Sequence, residues 1–180
     1  MAELSGPQWV DRFPTSRDVK ALMPPFRDKV ARFLDALGTA QATVSINATL
    51  RPKQRAYLMH FAFLIANRQM TPGAAPPMQG VDIQWAHPNA ADSVSAAAAM
   101  VAAYGIAFPP ALQSRHTQGL AIDMDIAWKG DLAIKNASGG NIAIQTDPRT
   151  GMNSSLWVIG ASYGVHKLAE DPPHWSSDGH

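Results

Sequence analysis

From Leu120 to Ala127 the chain alternates without a break. Leu120, Ile122, Met124 and Ile126 point one way, and Ala121, Asp123, Asp125 and Ala127 point the other. Alternation of period two predicts a strand with one face on a core and the other small and polar. Gly119, just before it, lets the backbone turn sharply with no Cβ penalty. His116 lies on the loop that feeds the strand. A histidine and a carboxylate brought together in this way are suited to open a zinc site, and Ala121 leaves room for an ion beside Asp123. Asp125 shares the polar face and is the rival carboxylate.

Further elements follow from the same reasoning. Residues 43 to 51 alternate and predict a second strand, closed by Pro52, which suits the first turn of a helix over about 53 to 68. Arg51 emerges at that junction on the polar face, and Gln54 follows one turn later as a weaker candidate for contact with substrate. Ser16 is a candidate cap for a short helix ending at Met23. A second helix is expected from about Pro25 to Leu37, with Phe26, Val30, Phe33, Leu34 and Leu37 on one face and Gly38 as its stop signal. The prolines and glycines of Thr71 to Gly80 predict a loop that could border a groove. Val81 to Trp85 reads as a short strand. Asp92 is a candidate cap for an alanine-rich helix from about Ser93 to Tyr104, its narrow face of Val94, Ala97, Ala98 and Val101 packing under the sheet. Leu132–Ile134 and Ile142–Gln145 read as short antiparallel strands, Ser154 to Tyr163 as a helix, and Val165 to Leu168 as a last strand. The expected fold is α+β: one domain with a small antiparallel sheet flanked by helices and a zinc site at the sheet edge.

That last strand delivers the chain to Glu170-Asp171-Pro172-Pro173-His174-Trp175. His174 is a third ligand candidate, and Asp171 is a carboxylate three residues before it. The two prolines lock their own φ and bias their predecessors to extended geometry, which holds the offset. A base set rigidly apart from a ligand is what metal-assisted hydrolysis requires. Glu170 is the rival base. Ser114 is expected to hydrogen-bond within the site, to loop backbone or to substrate, and Trp175 is a candidate wall of the cleft. His60, His87, His166 and His180 are set aside as ligands. His60 lies within a helix, His87 in a loop before a proline, His166 beside the last strand, and His180 where order is doubtful.

Together, Ser-x-His-x-x-Gly-x-Ala-x-Asp over 114–123 and an acid three residues before a downstream histidine resemble the zinc D-alanyl-D-alanine carboxypeptidases and dipeptidases. They resemble equally the L-alanyl-D-glutamate endopeptidases of phage lysins, within the superfamily of lysostaphin and the hedgehog signalling domain. The resemblance spans roughly residues 40 to 176. It implies Zn²⁺ held by His116, Asp123 and His174, with Asp171 as general base. It also implies a role for Arg51 in stabilising an oxyanion or gripping a substrate carboxylate, since a guanidinium supplies charge without losing its proton. Members ending in His-x-His carry a histidine where this chain has Pro172, so any role of that residue is absent or filled elsewhere. Substrate contacts are expected from Ser114, Gln54 and Trp175.

Composition narrows the setting. The 180 residues suit one domain, with 1–40 as an N-terminal helical segment and 41–176 as the catalytic core. Cysteine is absent, so a transition-metal site must be built from His and carboxylates. A formal charge of +1 gives no electrostatic footprint for nucleic acid. No window is long and apolar enough to span a membrane, and Met1 to Val10 lacks the pattern of a secretory signal. The expected function is hydrolysis of a stem-peptide amide in peptidoglycan by an endolysin-type endopeptidase acting as a monomer. Such a protein is made in the cytoplasm and reaches the wall through a holin or another delivery system. The competing readings are a D-Ala-D-Ala carboxypeptidase and a non-catalytic zinc module that binds the cell wall.

Overall fold

Phe26, Val30, Phe33 and Leu37 recur at helical spacing and are all fully buried. In the computed structural model, which describes residues 2–180, they form the inner face of one helix in an α+β fold. In chain order the elements are β1 (Glu3–Leu4), α1 (Phe26–Thr39), β2 (Thr43–Ala48), α2 (Lys53–Ala66), β3 (Ile83–Gln84) and α3 (Ala90–Tyr104). They are followed by β4 (Ala121–Ala127), β5 (Leu132–Lys135), β6 (Asn141–Ile144), α4 (Ser154–Ser162), β7 (His166–Lys167) and β8 (His174–Ser176). The main sheet is antiparallel, in the order β2-β4-β8-β7, and β5 and β6 form a separate hairpin.

The chain is organised as two compact units. One comprises residues 16–50 and 118–180, and holds the main sheet, the hairpin, α1 and α4. Its core joins the inner face of α1 to Ile122, Met124 and Ile126 of β4, Leu156 and Ile159 of α4, and Trp175 of β8. The other unit takes in the chain up to Thr15 and residues 51–117. Its core joins Leu58, Phe61 and Ile65 of α2 to Ala97 and Met100 of α3, with Trp9 and Trp85. Short parallel strands β1 and β3 pair beside it.

Local chemistry moved several boundaries. Ser16 caps no helix: its hydroxyl accepts from the Asp18 N–H, and Asp18 in turn caps a single 3₁₀ turn at Val19–Ala21. Helix α1 runs through Gly38 to Thr39, and the left-handed residue that follows is Gln41, with φ 62°. Asn89, not Asp92, caps α3; its side chain accepts from the Ala91 N–H, which places Asp92 in the first turn. The buried stripe of α3 is Ser93, Ala97 and Met100, with Ala98 exposed, and it packs on α2 rather than under the sheet. Gly105, at φ 64°, ends that helix as expected.

The largest departure is β8. The turn after β7 brings the chain back as a further strand, inserted between β4 and β7. His174 therefore opens a strand rather than following the last one. Strands β4 and β8 are the two central strands of the sheet, so the residues they carry do not lie on an outer strand.

Candidate metal centre

His116 is held by the turn around it. The Ser114 N–H donates to Thr117 Oγ1 at 2.8 Å, the Thr117 N–H donates to Ser114 Oγ at 3.3 Å, and the Thr117 hydroxyl donates to the Ser114 carbonyl at 2.9 Å. The Ser114 hydroxyl thus meets loop backbone, one of the two partners its sequence left open. The Arg51 N–H donates to the His116 carbonyl at 3.1 Å, which ties the strand-to-helix junction to the ligand loop. Gly119 follows at φ 69°, with its carbonyl accepting the Met23 N–H at 2.9 Å. A Cβ there would stand 3.2 Å from Met23 N, so both conformation and space call for glycine.

Asp123 and His174 come from paired strands. Ala121, Ile122 and Asp123 of β4 stand opposite Ser176, Trp175 and His174 of β8. Alternation sends Trp175 into the core with Ile122, and sends His174 to the face that carries Asp123. His174 Nδ1 lies 3.1 Å from Asp123 Oδ1, and its Nε2 lies 3.2 Å from the His180 backbone oxygen.

His116, Asp123 and His174 each bring one ligand atom to within 4.8 Å of the others, the one such cluster among the described residues. His116 and His174 are buried and Asp123 is half-buried. The donor set suits a metal. An imidazole lone pair and a carboxylate oxygen pointed at each other repel unless a proton or a cation lies between them. Two nitrogens and one oxygen without sulfur are a donor set that a divalent transition metal accepts. Burial, the largest single influence on the His174 imidazole, favours its neutral form. The hydrogen bond and charge of Asp123, with help from the His180 oxygen and the Asp171 charge, outweigh it and raise the pKa above the ordinary value.

Asp171 is exposed in the turn between β7 and β8, and does not belong to the ligand cluster. Its carbonyl accepts the His174 N–H at 3.0 Å. The Lys167 ammonium donates to the carbonyls of Leu168 and Asp171, and to that of His174 at 3.1 Å. Nothing in the sequence marks Lys167 for this role, because a lysine in a strand reads as a solvated charge. Its burial lowers its pKa, against the opposing charges of Asp171, Asp123 and Glu170.

The other residues separate plainly. Trp175 is fully buried against Phe33, with ring centroids 5.5 Å apart. A side chain with no exposed surface cannot wall a cleft, which corrects the expectation for it. Asp125 is exposed and accepts from Asn47 Nδ2 at 2.8 Å. His60 Nδ1 meets the Pro110 carbonyl, and His87 Nε2 meets Ser5 Oγ. Gln54 lies in the first turn of α2 near Gly80. His180 is the residue that sequence reasoning discarded and the structure brings against a ligand. It does so through a backbone oxygen, which no residue type announces. Compared with protein-family models, with curated proteins and with solved structures, the chain matches none.

Proposed function

We propose that the protein is a zinc-dependent peptidase that hydrolyses a stem-peptide amide of peptidoglycan, an endopeptidase of the endolysin type. The observation that carries this reading is the convergence of His116, Asp123 and His174 within 4.8 Å, from the two stretches whose spacing resembles these peptidases. A non-catalytic zinc module would need neither an exposed carboxylate three residues before a ligand nor an arginine whose backbone is bonded to the ligand loop.

When bound, zinc supplies Lewis acidity, which polarises a carbonyl and acidifies water. The chain supplies the rest. The Asp171 carboxylate, exposed on a turn braced by Lys167, takes a proton from the attacking water and returns it to the departing amine. Arg51, whose backbone N–H is bonded to the His116 carbonyl, supplies in this reading the guanidinium that stabilises charge on the carbonyl oxygen. A groove of about 220 Å³ runs past Lys53, Tyr57, Pro77, Met78, Leu112 and Gln113. Gln113 directly precedes Ser114, so this groove begins at the ligand loop and offers a small apolar channel with one ammonium for an anionic peptide. No helix among the described residues is long and apolar enough to cross a membrane.

The test is digestion of purified peptidoglycan with and without a chelator, with mass analysis of the fragments. Chelator-sensitive release of stem-peptide pieces is expected. Release of single D-alanine residues would replace the endopeptidase with a carboxypeptidase. No release by a folded, zinc-loaded sample would leave only the wall-binding module.

A further inference from the structure

The short segment after His174 is built more tightly than its exposure suggests. Ser176 is fully buried, and its hydroxyl accepts both the Gly179 N–H at 2.8 Å and the His180 N–H at 3.0 Å. The same hydroxyl stands 3.4 Å from Asp178 Oδ1, its hydrogen-bond acceptor. The Ser177 N–H donates to the Leu120 carbonyl at 3.0 Å, which pins the segment to the chain entering β4. Gly179 then turns at φ 82°, in the left-handed region that favours glycine. This turn carries the His180 backbone oxygen to 3.2 Å from His174 Nε2.

A backbone oxygen can only accept, so this contact puts a hydrogen on Nε2. In a neutral imidazole the remaining lone pair then belongs to Nδ1, the nitrogen that faces Asp123 at 3.1 Å. We infer that residues 176–180 form a latch that sets the tautomer and ring orientation of His174, with Ser176 and the His180 backbone oxygen as positioning groups for metal binding through Nδ1. The inference rests on the metal centre proposed above. Groups that orient a ligating histidine in this way typically change metal affinity by about 10- to 100-fold when lost. The His180 imidazole has no part in the latch.

The test measures zinc affinity by chelator competition for the full chain, Ser176→Ala, His180→Ala and a chain lacking residues 179–180. Circular dichroism and thermal melting confirm that each is folded. Zinc binding by the full chain, weakened about 10- to 100-fold in Ser176→Ala and in the shortened chain but unchanged in His180→Ala, is the expected pattern. Nitrogen-15 spectra of the zinc-loaded full chain should show hydrogen on His174 Nε2 and the metal on Nδ1. Equal affinity in the full and shortened chains overturns the latch while leaving the metal centre standing. A loss in His180→Ala as large as in the shortened chain assigns the effect to the imidazole and overturns it too. A full chain that binds no zinc removes the metal centre itself, and the latch with it.

Discussion

His174 and Asp123 stand directly opposite each other on adjacent antiparallel strands, with Nδ1 and Oδ1 3.1 Å apart. Their separation is therefore set by strand register rather than by loop conformation. A one-residue slip in β8 would turn His174 into the core and Trp175 out of it. The buried tryptophan thus enforces the pairing of the polar residues on the other face.

Asp123→Ala removes the only carboxylate of the cluster. The purified wild-type chain is expected to carry one zinc, and the variant none, by elemental analysis after dialysis. Retention of zinc by the variant would mean that the metal is held elsewhere.

Asp171→Ala separates chemistry from binding. The variant should keep its zinc while peptidoglycan hydrolysis falls by ~10²–10⁴, the usual cost of losing a general base. Full activity with full zinc would move the role to another group.

The metal-free protein should lose stability as pH rises above 6.5. The folded His174 pKa is raised above its ordinary value, so its contribution is complete below that value and disappears as pH climbs through the folded one. Denaturant midpoints measured with a chelator present check this. Zinc reverses the sign over the same interval, because it binds the deprotonated imidazole. A chelated sample that grows more stable as pH rises above 6.5 contradicts the raised pKa.

Lys167→Met tests the turn that carries Asp171. It takes a charged donor away from the carbonyls of Leu168, Asp171 and His174, and a charge-assisted hydrogen bond is typically worth ~1.5–3 kcal/mol. Faster amide exchange at Asp171 and His174 is expected, with little change in β2. Unchanged exchange at both amides would show that the prolines alone hold the turn.

Gly160→Ala tests the packing behind the sheet. A Cβ at residue 160 would stand 2.6 Å from Trp175 Cζ3 and 2.8 Å from the Val165 carbonyl. Overpacking of this kind typically costs ~1–3 kcal/mol, read as a lower denaturant midpoint. A midpoint equal to the wild type would mean that the ring moves freely.

The elements with strong periodicity were legible in the sequence because one interaction dominates each of them. The buried stripe of α1 and the alternation of β4 are written in residue type. So was the pairing of His116 and Asp123 across Gly119, whose backbone demands a glycine. What escaped depends on partners distant in the chain. Strand β8 has only three residues, too few for a period, and it exists because β4 and β7 bracket it. β1, with two residues, depends in the same way on β3. Asp92 and Asn89 are both good helix caps, and geometry chose the asparagine. Trp175 could be assigned to either face until the register of β8 was known.

The sequence separation of 51 between Asp123 and His174 carries one further consequence. A chain without cysteine has no covalent crosslink, yet an ion bound to both residues would close a loop of that length. Closing it removes conformational freedom mainly from the unfolded chain, where the two strands are otherwise independent. The ion would thus act on this fold as a disulfide acts on a secreted one, with a clasp that any strong chelator can open.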